Sequence, residues 1–344
     1  MKSKIYSFLK ILFFLGIGLF LIWWIVQGLT QQEIGEIKNA FRQANYWWVF
    51  LSIVLGIMSH MSRAYRWQML IEPMGYKLRF GNTFAAVMVG YLANYAFPRL
   101  GEVWRCGIVN QYDRVPVNKV FGTVIAERAI DMIILLSLFI ITVFLQFYRL
   151  EDMLVRNLSK KQDQLYGLVT NQWGILAISI GVILILLGYF YRQKLKRFSL
   201  YDRIVSIVKG FIDGLKSIKD IQKRWTFLFH SFFIWFMYLS MIIVCFYSME
   251  QTASLGLGAA MAILVFGAIG IIAVQGGIGA YQAIVTVILV LYGVDKPIGF
   301  AFGWIIWSGQ TIMNIGLGLL SLVFLPIINN TLYAKPDDRQ VENI

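Results

Sequence analysis

Apolar residues run along this chain in long blocks separated by short polar or basic stretches. Six blocks, at 8–26, 46–61, 120–147, 173–191, 225–247 and 299–325, read as membrane-spanning helices, since ~20 apolar residues at ~1.5 Å each cross a hydrocarbon core. The second block opens on Tyr46, Trp47 and Trp48, side chains that favour the headgroup level. The polar stretch "QGLTQQEIGEIKNAFRQAN" before it reads as an interfacial helix.

Two shorter apolar blocks, 81–97 and 257–273, do not fit the same pattern. Each is rich in Gly and Ala and ends at a break, "PRLGE" at 98–102 and "GGIGA" at 276–280. A further segment then heads elsewhere, 103–110 in the first case and 281–292 in the second. Loop charge decides their course. Residues 192–225 hold ten Lys and Arg against three Asp, which marks a cytoplasmic loop. The N-terminal segment and the loop at 98–119 are basic as well. With those three on one side, 81–97 begins and finishes on the same face. It is expected to be a re-entrant hairpin, and 257–273 a second one entering from the opposite face. The expected fold is therefore an all-α polytopic membrane protein with about six full transmembrane helices and two re-entrant hairpins, arranged as an inverted repeat. PRLGE at 98–102 is laid over GGIGA at 276–280.

Composition agrees. Of 344 residues, 58% are hydrophobic and 14% charged, against roughly 25% charged in soluble domains. The whole chain reads as one integral membrane domain, 1–344. The first repeat unit covers 46–147, a basic amphipathic linker 192–225, the second unit 225–325, and a polar tail 326–344. The N-terminal apolar run is long for a signal peptide and lacks an A-x-A-like cleavage site, so an uncleaved span is expected. The linker places Ile204, Val208, Phe211, Leu215 and Ile218 at helical spacing between basic residues, as in a helix lying on an anionic leaflet. A net charge of +13 is explained by basic cytoplasmic loops and not by nucleic acid. Cys106 and Cys245 suggest neither a disulfide framework nor a metal site, and no cofactor is expected.

The chemistry gathers at the first break and in one span. Pro98 removes a backbone donor and Gly101 permits a turn. Arg99 and Arg105 supply guanidiniums suited to phosphate, with Glu102 free to pair with one of them. In "TVIAERAIDMIILL", Glu127 and Asp131 share a helical face, and Arg128 reaches Asp131 at i,i+3. Charges at that depth pair and face the protein interior. Arg63 lies one turn after His60 and is expected to face the same cavity, whereas Arg66 snorkels to the headgroups. His60 is expected to be a hydrogen-bonded packing residue. In the second unit Gly276, Gly277 and Gly279 form the turn, flanked by Gln275, Tyr281 and Gln282. With Asn94, and with Gln310 and Asn314 of the last span, the two glutamines form a secondary polar lining that serves either helix packing or substrate contact.

The segments "NYAFPRLGEVWR", "GTVIAERAIDMIILL" and "GGIGAYQAI" resemble the transmembrane region of lysylphosphatidylglycerol synthases. The resemblance covers about 40–325. It implies that Pro98, Arg99, Gly101, Glu102, Glu127, Arg128, Asp131, Gly276, Gly277 and Gly279 occupy motif positions. It also implies carriage of a lipid or lipid-linked head group between leaflets. Where the family's glycine turn has a preceding Pro and a following Glu, this chain has Gln275 and Gln282. The synthase's soluble domain is not in this sequence, so lipid aminoacylation is not expected. The expected function is a flippase of the bacterial inner membrane with both termini cytoplasmic. Its partners would be lipids bearing anionic or phosphate head groups, and self-association is left open. Arg63, Arg99, Glu102, Arg105, Glu127, Arg128 and Asp131 would bind substrate. An intramembrane transferase using Glu127 and Asp131 as acid and base, and a scaffold for a partner enzyme, are the alternatives.

Overall fold

A computed structural model describes residues 16, 20, 22, 23, 26–97, 99–146 and 223–332. The expected span at 173–191 and the linker up to 222 lie outside these residues, as do most of the 8–26 span, Pro98, the side chain of Gln275 and the tail from 333. Every regular element among the described residues is helical. Helix α1 spans Gln31–Gln43, α2 Tyr46–Ile71, α3 Phe80–Ala96, α4 Leu100–Asp113 and α5 Val117–Leu145. Helix α6 spans Arg224–Phe246, α7 Leu257–Ala273, α8 Ala280–Leu291 and α9 Lys296–Leu332. The chain is an all-α polytopic membrane protein. Among the described residues α5, α6 and α9 are long and apolar enough to cross a bilayer. The α1–α2 pair, bent by 69°, counts as a fourth if taken as one span.

Helix α1 starts at a reciprocal cap. The Glu33 amide donates to the Thr30 hydroxyl at 3.2 Å, and the Thr30 amide to the Glu33 carboxylate at 2.6 Å. The polar stretch read as a helix from the sequence is one. Two boundaries differ from expectation. Helix α2 continues ten residues past the apolar block, to Ile71, because its basic end is buried in protein and does not emerge into water. Helix α9 runs through Pro326 to Leu332, taking in part of the expected tail.

The order long helix, hairpin, long helix occurs twice, as α2, α3–α4, α5 and as α6, α7–α8, α9. Both α3 and α7 have 17 residues. In α3 the helix stops because a residue preceding proline is pushed to extended backbone. Phe97 accordingly sits at φ −142° and ψ 132°, and its counterpart Val274 at φ −121° and ψ 133°. Two residues further on the chain turns through a left-handed residue, Arg99 (φ 64°) in the first break and Gly276 (φ 68°) in the second. These angles place Arg99 opposite Gly276, one residue away from the register read from PRLGE and GGIGA.

Polar contacts fix which way each hairpin opens. The start of α3 meets the end of α4 where the Asn82 amide donates to Asp113 at 3.1 Å. The paired amides of Asn82 and Asn329 bring the end of α9 to the same place. The Gln68 amide reaches Leu78 O at 3.0 Å, adding the end of α2, and Lys223 pairs with Glu72, adding the start of α6. At the opposite end of the bundle, the Gln146 amide donates to Gly258 O and the Tyr292 hydroxyl to Gln146 Oε1, each at 2.6 Å. That joins the end of α5 to the start of α7 and the end of α8. The two hairpins thus open toward opposite ends of the bundle. Their tips meet: the position a side chain would take at Gly276 lies 3.4 Å from the Tyr95 ring.

Two apolar clusters surround these hairpins. One, with Trp67, Ala86, Val109 and Val120, ties α2 to α5. The other, with Phe246, Ile263, Leu289 and Phe302, joins α6 through α9.

Candidate functional site

Helix α5 is apolar outward and charged inward. Phe121, Ile125, Met132, Leu136, Ile140 and Phe144 are exposed along one side, toward lipid. Glu127 and Asp131, one turn apart on the other side, are 0% and 8% exposed. Glu127 lies ten residues inside the helix, a depth of about 15 Å at ~1.5 Å per residue. Helix α2 presents a matching inward stripe of Ser59, His60, Arg63, Arg66, Trp67 and Leu70, a set spaced by three and four residues so that it shares one face.

Together α2, α4 and α5 assemble a closed ion cluster. Arg63 Nη1 donates to Glu127 Oε1 at 2.9 Å and to Asp131 Oδ2 at 2.6 Å. Arg66 bridges the same two acids, with Nη2 at 3.2 Å from Glu127 Oε1 and Nη1 at 2.7 Å from Asp131 Oδ1. Arg105 Nη2 donates to Glu127 Oε2 at 2.7 Å. Both oxygens of each acid therefore face guanidiniums. Surrounding groups hold the arginines in place. The Trp67 indole donates to Thr123 at 2.9 Å, which fixes the ring that Arg105 stacks on at 3.8 Å. Arg66 also contacts the Ser231 hydroxyl at 3.3 Å and Arg63 the Tyr238 hydroxyl at 3.4 Å, both on α6.

A buried ion network of this kind repays its desolvation only when nearly every lone pair and proton is matched, and removal of one partner typically costs ~3–5 kcal/mol. Here three guanidiniums, each under 5% exposed, face two buried carboxylates. The Nε groups of Arg63, Arg66 and Arg105 have no hydrogen-bond partner. The cluster carries an excess of positive charge and of donors.

Beside it, at the first break, lies a small cavity lined by Val87, Gly90, Tyr91, Asn94, Gly101, Glu102, Arg105 and Arg128. Its volume is about 10 Å³, room for about one water. Its outer edge is the Arg128–Glu102 pair, with Nη2 to Oε1 at 3.1 Å and side chains 45% and 21% exposed. The second Glu102 oxygen is buried and unpartnered. The cavity is thus narrow: apart from the Arg128–Glu102 edge, the charged groups face one another and not open water.

Several expectations change in this geometry. Gly101 is not the turn. It lies inside α4, and the turn falls to Arg99. Gly101 instead permits close packing, because a Cβ there would overlap the Gly90 carbonyl oxygen. Arg128 pairs with Glu102 on α4 and not with Asp131, whose oxygens Arg63 and Arg66 already occupy. Arg66 does not snorkel; it is fully buried. Arg99 is exposed at the hairpin tip and forms no ion pair among the described residues. Asn94 lines the cavity and also caps α4, its side-chain oxygen accepting from the Gly101 amide at 2.8 Å.

In the second unit Gly276, Gly277 and Gly279 all take positive φ, as a turn requires. Gln282 lines no opening: it is fully buried and accepts the Gly279 amide at 2.7 Å. The indole of Trp307 donates to the Gly276 carbonyl at 2.7 Å, closing the break from α9. Gln310 is half-buried. Asn314 Oδ1 and the ring nitrogens of His60 are buried beside each other, and His60 packs against Tyr91 with ring centroids 4.7 Å apart. Arg66, Trp67, Tyr91, Ser231 and Tyr238 were not among the expected site residues. The sequence signal for the first two was present, since Arg63, Arg66 and Trp67 continue the face begun by His60.

Comparison with known proteins gives a family and distant relatives. Residues 8–318 match the family model described as lysylphosphatidylglycerol synthase TM region. A UPF0104 membrane protein of Methanocaldococcus jannaschii is 28% identical over 148 residues, 42% of this chain and 41% of that protein. A UPF0104 membrane protein of Methanothermobacter thermautotrophicus is 27% identical over 112 residues, 32% of this chain and 33% of the relative. The matched region thus spans less than half the length of either curated relative. No solved structure matches.

Proposed function

Because the chain belongs to the lysylphosphatidylglycerol synthase transmembrane-region family, we propose that it is a lipid transporter that moves a phosphate-bearing head group between leaflets. The observation that carries this reading is the buried arginine-rich cluster of α2, α4 and α5 beside a helix break. An intramembrane ionisable group marks a substrate or ion path by default, and broken helices near the midplane are where transporters bind.

In this reading the two units form an inverted repeat, supported by hairpins that open toward opposite ends and touch at their tips. The head group enters at the Arg128–Glu102 edge and meets Arg105, while the acyl chains stay in lipid. Arg63 and Arg66 hold Glu127 and Asp131, which in turn hold Arg105. Arg99, at the exposed tip, makes the first contact. The protein itself performs no bond-forming chemistry. Loop charge supports a cytoplasmic membrane location with both termini inside.

The test is reconstitution of the full chain in liposomes containing a fluorescent phosphatidylglycerol, with bilayer sidedness read by dithionite quenching. Transport should require the protein and be lost in Arg99→Ala and Arg105→Gln variants that remain folded. Unchanged quenching in both variants refutes the assignment.

A further inference from the structure

The charges around the cavity are countable, and the count selects a class of head group. Arg63, Arg66, Arg105 and Arg128 face Glu102, Glu127 and Asp131, four positive charges against three negative. His60 and His230 are the imidazoles nearest the cluster, and neither has an acid partner among the described residues. In a bundle with little water, one uncompensated charge is costly and a second more so. The cavity is a built site: Arg105 lines it, is 4% exposed and keeps an unpartnered Nε.

Resting on the transport reading, we propose that the site accepts a lipid whose head group carries one net negative charge, a phosphodiester, and discriminates against zwitterionic, cationic and diphosphate-linked lipids. Glu102 is the acid that turns aside for the substrate while staying paired with Arg128, so it remains in the count. At about 10 Å³ the cavity holds no phosphate until that carboxylate turns toward the Arg128 side, and Glu102 is placed to do so, being the most exposed acid of the set. One phosphodiester then balances the single positive excess while Arg105 and Arg128 donate to it. A diphosphate overshoots by at least one charge. A zwitterion brings an ammonium next to a positive cluster, and an aminoacylated head group brings more positive charge still. The lipids that the family description names are therefore poor ligands for this chain.

The experiment measures binding of short-chain lipids to the detergent-solubilised full chain by native mass spectrometry. The probes are dioctanoyl phosphatidylglycerol, dioctanoyl phosphatidylcholine, lysyl-phosphatidylglycerol, farnesyl diphosphate and, as a soluble source of the same phosphodiester chemistry, glycerophosphoglycerol. Phosphatidylglycerol should bind on the order of tenfold better than the others, the size expected for a charge-assisted contact. Glu102→Gln adds one positive charge and should shift preference toward farnesyl diphosphate. Arg128→Gln, on a half-exposed side chain that the fold can spare, should erase the preference for phosphatidylglycerol over phosphatidylcholine. Equal binding of phosphatidylcholine, a wild-type preference for the diphosphate, equal binding of glycerophosphoglycerol, or an unmoved preference in Glu102→Gln overturns the inference. Liposome transport separates the two readings. Flipping of phosphatidylcholine at the phosphatidylglycerol rate sinks the charge rule and leaves transport standing. Selective binding without flipping of any probe sinks transport and leaves the charge rule standing.

Discussion

Gly90 and Gly101 face each other across the first hairpin with no room for a methyl group between them. A Cβ on Gly101 would overlap the Gly90 carbonyl oxygen and lie 2.7 Å from the Asn94 side chain. The contact sits one turn before Arg105, so the spacing of α3 and α4 sets where that guanidinium reaches Glu127. Gly101→Ala should force the hairpin apart. A loss of ~1–3 kcal/mol or more is expected from overpacking, read as a lower unfolding temperature in detergent. Gly107→Ala, where nothing lies within 4 Å, should have little effect.

Arg99 takes a left-handed conformation for which Gly276 is the unstrained counterpart. A left-handed non-glycine residue costs ~1–2 kcal/mol. Arg99→Gly should therefore raise the unfolding temperature while abolishing transport in liposomes. A variant both more stable and fully active would show that the side chain has no role at the tip.

Arg66 reaches both buried acids and is fully enclosed. Arg66→Ala leaves Asp131 with Arg63 alone and should destabilise the protein by ~3–5 kcal/mol. Arg99→Ala, on an exposed side chain, should change stability far less. A double-mutant cycle of Arg66→Ala with Asp131→Ala should return a coupling of ~0.5–3 kcal/mol; additive effects would contradict a shared network.

Trp307 holds the second break by donating to the Gly276 carbonyl. Trp307→Phe keeps an aromatic side chain, smaller than the indole, and leaves that oxygen without its donor, at an expected cost of ~1–3 kcal/mol in the same unfolding measurement. Tyr95→Phe, whose hydroxyl makes a long 3.4 Å contact to Thr311, should cost less. The reverse order would assign the joint between the hairpin tips to Tyr95.

Much of the architecture was legible because lipid makes sequence informative. A helix facing hydrocarbon must be apolar over its full length, so α6 and α9 stood out as blocks, and α7 matched its expected bounds to the residue. A charge inside such a block is anomalous, and Glu127 and Asp131 were found for that reason. Pro98 marked the end of α3 through its effect on Phe97.

What the sequence by itself determined was thus the list of elements, the two breaks and the depth of the acids, because each depends on local backbone chemistry or on the solvent a segment meets. Tertiary structure alone decided the pairing. Arg66 looked like a surface cation because it stands at the end of an apolar run; only the packing of α6 over α2 encloses it. Gly101 looked like a turn because it follows a proline, yet the approach of Gly90, distant in α3, is what demands a glycine there. Arg128 took Glu102 over Asp131 because two arginines from another helix had already filled Asp131. Which charges meet, and how much room they leave, depends on distances between helices, and those distances are set by side chains far apart in the chain.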